Sequence, residues 1–142
     1  MIQINGYMIG PNQDLSRANL RGANLRGVNL SGAKLGGADL REVDLSSADL
    51  TGAYMGSVNL AEANLAGSNL EGAFLGNAHL VRANFRGANL RRAQMVSTNI
   101  VKANFVGADL SGANLYQSWH RKKDLRGVKL TGAMMPDGSF HP

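Results

Sequence analysis

All 18 leucines of this chain sit at positions divisible by five. From Leu15 to Leu115 there are 21 consecutive five-residue centres, of which 18 are Leu or Phe and the others Met55, Met95 and Ile100. Two residues before nearly every centre comes a small residue, Ala in 15 of the 21 and Val in three, and the residue between is Asn or Asp in 16. Such self-similarity governs the whole fold. A period of five is neither 3.6 nor 2, so no single helix or strand satisfies it. A chain that turns a corner every five residues does. Four corners close a square coil of 20 residues, and stacked coils pair as parallel strands about 4.8 Å apart. The large centre and the small residue before it then point inward. The Asn or Asp sits beside the corner, where its side chain bonds local backbone. Glycine, common two residues after the centre, supplies the positive φ that some turns require.

The units "ANLRG" (23–27), "ADLTG" (48–52), "ANLAG" (63–67) and "ADLSG" (108–112) carry the pattern most plainly. They resemble the pentapeptide-repeat family, whose motif is roughly Ala-(Asn/Asp)-Leu-X-Gly. The tail "GAMMPDGSFHP" and the opening "YMIGPNQDLSRANL" resemble those of pentapeptide proteins from photosynthetic prokaryotes. The resemblance implies an all-β fold, a right-handed quadrilateral parallel β-helix of about five to six coils. It implies little about activity, because fold does not fix function. The expected organisation is an N-terminal cap over 1–12, the repeat over 13–115, a loop over 116–124, and a last partial coil with a C-terminal cap over 125–142.

Composition narrows the function classes. There is no cysteine, which removes disulfides and thiolate metal sites. No apolar run approaches the roughly 18 residues of a membrane span. The N-terminus lacks a basic and then apolar leader, so a cytoplasmic location is expected. His79, His120 and His141 have no metal-ligand spacing, and the serines are repeat residues without a paired base. No phosphate-binding glycine motif is present. The expectation is a protein without catalysis, cofactor or metal. A formal net charge of +5 suits an acidic partner.

The departures from the repeat carry the functional information. With a coil of 20, positions 20 apart lie above one another. The Asn/Asp position is broken at Lys34, Tyr54, Phe74 and Gln94, which form one column beside Gly36, Gly56 and Gly76. Tyr54 and Phe74 would stack there, either as a ladder variant or as a candidate interaction face. His79 is the fifth break and reads as a ladder variant. Glu71 beneath Arg91 and Glu62 beneath Arg82 suggest cross-strand ion pairs. Arg82, Arg86, Arg91, Arg92 and Lys102 form a candidate basic patch. Val96, Val101 and Val106, with Val81 below Val101, suggest a band covered by the C-terminal segment or by a second copy.

The rhythm fails once, at "LYQSWHRKKDL" (115–125), where a centre is due and His120 stands. Leu125, Leu130 and Met135 resume the old phase. Trp119 is expected to anchor this loop against the rod, near Val101, with Arg121, Lys122 and Lys123 in solvent as a cap or a contact loop. Phe140 would plug the open C-terminal end, and Tyr7, Met8 and Ile9 would cap the other. The function these features suggest is a protein-interaction scaffold, able also to self-associate through an end or the valine band. The alternative is a nucleic-acid-associated or DNA-topology-modulating protein. Mimicry of DNA to protect gyrase, known in the family, needs an acidic surface, and the basic charge opposes it.

Overall fold

A computed structural model describes all 142 residues. The repeat folds as a parallel solenoid with a coil of 20 residues. From Asp14 to Asn114 each Asn/Asp position except Asn104 bridges the one 20 residues on, giving four ladders. The first face runs from Asp14 through Lys34, Tyr54, Phe74, Gln94 and Asn114 to Met134. The second starts at Asn19, the third at Asn24 and the fourth at Asn29.

One unit shows how five residues satisfy their own backbone. The Asn64 N–H donates to the Val43 carbonyl at 2.9 Å, and the Asn64 carbonyl accepts from the Leu45 N–H at 2.7 Å. At the corner below, the Ala48 N–H reaches back to the Leu45 carbonyl at 3.1 Å, and the Ser47 N–H donates up to the Ala66 carbonyl at 3.0 Å. Only the second turn residue has positive φ, 57° at Ser47 and 63° at Gly52, the arrangement of a type II turn. Glycine suits that position, yet Ser47, Glu62 and Arg82 occupy it too. The closed ladders on either side therefore hold the turn against the preference of the residue.

Beside the corner, the Asn or Asp side chain accepts the N–H two residues on, as Asn64 does from Ala66 at 3.1 Å and Asp49 from Thr51 at 3.0 Å. The aspartates gain a second donor. Arg41 holds the Asp39 carboxylate at 2.8 and 2.6 Å and lowers its pKa to about 2. The hydroxyls of Ser46 and Thr51 hold Asp44 and Asp49 below the usual carboxylate range. Each folded value lies below the unfolded one. Their stabilisation is thus complete above the ordinary carboxylate range, about pH 4, and is lost as pH falls through the folded values. Melting temperature measured against pH should fall between about pH 4 and pH 2, and Asp39→Asn should flatten part of that fall.

Inside, the centres from Leu20 to Leu115 and the small residues beside them pack in one continuous core, fully buried except at Ala23 and Val28, which are half-buried. Phe85 and Phe105, one coil apart on the third face, stack with ring centroids 5.1 Å apart and planes 10° apart. No helix is long and apolar enough to cross a membrane.

The two ends are closed differently. Two short strands, β1 (Ile2–Ile4) and β2 (Tyr7–Ile9), form an antiparallel hairpin at the N-terminus. Its turn, Asn5-Gly6, has φ of 52° and 83°, as a type I′ turn requires. Ile9 is buried and Tyr7 half-buried against the first coil, while Met8 faces outward. At the C-terminus the chain turns over Asp137-Gly138 and runs back antiparallel along the first face. The Gly132 N–H donates to the His141 carbonyl at 2.9 Å, and the His141 N–H to the Ala133 carbonyl at 2.8 Å. Phe140 is therefore not a plug. It is 69% exposed, because the tail follows the outer edge of the face instead of crossing the open end.

The break is also narrower than the spacing implied. Tyr116-Gln117 form a regular turn, Ser118 takes the inward small position, and Trp119 pairs with Asn99 on the second-face ladder. Trp119 thus does not anchor a loop; it is 62% exposed, pointing out as every residue at that ladder position does. The irregular stretch begins at His120 and holds a single 3-10 turn, Lys122–Leu125. Asp124, buried, repairs the gap. Its carboxylate accepts the Arg121 N–H at 2.6 Å, the bond an asparagine at 119 would have made, and grips the Arg121 guanidinium at 2.7 Å. The nearby backbone N–H of Lys102 adds to the pull on its charge. Burial alone would raise the Asp124 pKa; these donors outweigh it and hold the carboxyl below its ordinary value. Parallel pairing then resumes with Lys129 against Asp109.

Candidate binding surface

The column of Lys34, Tyr54, Phe74 and Gln94 is on one face as the 20-residue arithmetic requires, each bridging the next. The Tyr54 and Phe74 rings stack with centroids 5.1 Å apart and planes 3° apart, and both are exposed. They lie over the glycines. A Cβ added at Gly56 would sit 2.8 Å from Tyr54 Oη, and one at Gly76 would sit 2.6 Å from Phe74 Cζ. The glycine strip is the seat of the rings. Neither ring can make the side-chain bond of an asparagine, so the stack replaces a polar ladder with an aromatic one.

The adjoining second face carries His79, Asn99 and Trp119 on successive rungs. They line an open groove of about 570 Å³ with Ser57, Asn77 and Ser97 from the corner between the two faces. Sequence reasoning missed this site. The signal was present, since Trp119 lies 20 residues beyond Asn99 and 40 beyond His79. Treating 116–124 as a loop hid it.

From Tyr54 to Gln117, these two ladders and the corner between them carry no lysine, arginine, aspartate or glutamate. The corner reads Gly56-Ser57, Gly76-Asn77, Val96-Ser97 and Tyr116-Gln117. The exposed rings Tyr54, Phe74, Tyr116 and Trp119 all lie on this edge of the rod, whereas the third and fourth ladders carry none.

Across the same chain, models of pentapeptide repeats match in eight copies, over residues 12–41, 23–60, 38–77, 59–95, 78–117 and 108–140. This chain belongs to the pentapeptide-repeat family. Among solved structures, it is similar to the pentapeptide repeat protein Rfr23 from the cyanobacterium Cyanothece 51142. That match has 27% identity and a TM-score of 0.72, covering 84% of this chain and 88% of the other. It is also similar to HetL of Nostoc sp. strain PCC 7120, a protein involved in heterocyst differentiation regulation. Identity there is 34% and the TM-score 0.39, over 92% of this chain and 65% of HetL. The pentapeptide repeat protein alr5209 from Nostoc PCC 7120 is 33% identical with a TM-score of 0.41, over 83% of this chain and 84% of the other. No curated protein matches the chain in sequence.

The other features of this pentapeptide-repeat protein fall away from that edge. The expected basic patch does not form as one surface. Arg82 and Lys102 sit at the corner between the second and third faces, Arg86 at the next, and Arg91 and Arg92 at the one after. Arg91 lies 3.3 Å from Asp109, and Arg92 lies 3.7 Å from Glu71. Glu71 therefore pairs with Arg92 and not Arg91, and Glu62 makes no ion pair with Arg82. Arg21 likewise pairs with Glu42, at 2.7 Å. The surface pairs between turns run to i+21, because the first turn residue of one coil meets the second turn residue of its neighbour. All are exposed enough to be worth only a few tenths of a kcal/mol. In the break, Arg121 is held by Asp124, while Lys122 and Lys123 are exposed. Val96 and Val101 are half-buried, Val101 in the second-face groove, and Val106 stays 42% exposed on the next corner with no cover from the tail.

Proposed function

We propose that this protein is a noncatalytic scaffold that binds a protein partner through the uncharged edge between its first and second faces. We take its coil to have the right-handed quadrilateral form of its family. One observation carries the reading: all the exposed rings of the repeat stand on one edge, which from Tyr54 to Gln117 carries no formal charge. Protein interfaces are depleted in charge at their centres and enriched in aromatic residues. Tyrosine and tryptophan among serine, glycine and asparagine is also the composition of binding surfaces that combine rigid rings with adaptable hydrogen bonding. The ladders hold these side chains on a rigid frame, which lowers the ordering cost of association.

The nucleic-acid reading finds less support, since the cations are spread over three corners and two of them face carboxylates. The partner reading is tested by affinity capture from the native host. Changing Tyr54 and Phe74 together to asparagine restores the usual ladder residue, so the coil should persist. Capture of a wild-type partner is expected to drop about tenfold or more. Arg86→Gln, on a different corner, should leave it unchanged. Undiminished capture by the double variant would discard the surface.

A further inference from the structure

We infer that the second-face groove is a slot for one uncharged aromatic ring, the side chain of a protein partner, which enters over Asn99 between His79 and Trp119. The inference rests on the partner reading above and names the subsite. His79 and Trp119 are each one rung from Asn99, on opposite sides. The molecule contains two pairs of aromatic residues one rung apart with both rings stacked, Tyr54–Phe74 on the surface and Phe85–Phe105 in the core. Both have centroids 5.1 Å apart. A ring seated over Asn99 would therefore have a stacking partner on either side at the spacing the coil imposes. The second face supplies two rings of a three-ring column and leaves the middle place to asparagine. The lining of His79, Asn99 and Trp119, with Ser57, Asn77 and Ser97, contains no carboxylate, lysine or arginine. That favours a neutral ring over an ionic group. Asn99 accepts the Val101 N–H at 3.1 Å through its oxygen, leaving its NH₂ to donate to a polar atom on the occupant.

Trp119 is the single tryptophan, so its fluorescence reports on this slot alone. The purified full chain is titrated with N-acetyl-phenylalaninamide, and in parallel with N-acetyl-leucinamide and adenosine monophosphate. The phenyl probe should give a saturable change in emission with a dissociation constant on the order of millimolar, the range expected for so small a ligand. The leucine probe should give none. His79→Ala should weaken the response by about 2–10-fold, the loss of one stacked ring. Asn99→Phe, which fills the slot from within, should abolish it while keeping the cooperative melt. No saturable response, or an equal one with the leucine probe, overturns the slot. Tighter binding of the nucleotide overturns the protein side chain as its occupant. A spectrum that changes with protein concentration before any probe is added overturns it too, because the exposed Phe140 of a second copy would then be the ring. The titration needs no partner. A saturable response alongside failed capture leaves the slot assigned and removes only the wider surface, and the reverse pair of results removes the slot alone.

Discussion

Phe85→Ala is expected to destabilise the protein by about 3–5 kcal/mol, the cost of deleting a fully buried aromatic side chain. Phe85 is fully buried and stacked on Phe105 at 5.1 Å. The four ladders fix the width of the coil, so its walls cannot close on the space the ring leaves, and the cost should lie at the upper end. For a chain of this size the melting temperature should fall by about 15 °C. Phe85→Leu restores the residue found at most centres, but it returns only part of the volume, so it should recover only part of the loss. A double-mutant cycle with Phe105→Ala should show coupling, since the two rings share one contact. Additive losses would mean that the stack adds nothing beyond two separately buried rings.

Asp124→Ala should cost about 1–3 kcal/mol, because it removes a buried acceptor from the Arg121 N–H and from the Arg121 side chain that folds over it. The loss should be local. In a solenoid each coil is held by its neighbours, so damage near one end frays that end first. Amide exchange should accelerate at Lys129 and Met134, which donate to Ala108 and Ala113, and stay slow at Asn64 and Asn84 in the middle of the rod. Asp124→Asn, which keeps an acceptor and loses the charge, should cost less. Uniform exchange along the rod would show that the carboxylate does not tie the last coil to the rest.

How much of this could be read from the sequence divides along physical lines. The period of five, with one large and one small inward residue in each unit, leaves a coil of 20 as the arrangement that buries every centre. The four faces, the Lys34-Tyr54-Phe74-Gln94 column and the glycines beneath it follow by counting. The same counting, carried on to Trp119, would have put it on one ladder with His79 and Asn99, but a histidine at a centre position made the preceding residues look like a loop. A failed centre need not interrupt the ladder before it, because the inward and bridging residues of one unit are satisfied by the coil below. Trp119 pairs with Asn99 without help from His120.

Charges were the least legible feature. Their long side chains are not held by the ladder, so spacing by 20 did not identify the partners; Glu71 meets Arg92, one residue past the vertical neighbour. The two ends were equally hidden, since neither continues the repeat. Phe140 faces solvent because its backbone completes hydrogen bonds along an edge, and nothing in the composition of the tail distinguishes that from a plug. By itself the sequence determined the coil, its core and the contents of each face, because a strict period admits one way to bury its apolar positions. Only the tertiary structure decided how the ends close, how Asp124 bridges the break and which charges meet. Those outcomes depend on contacts between residues that no period relates.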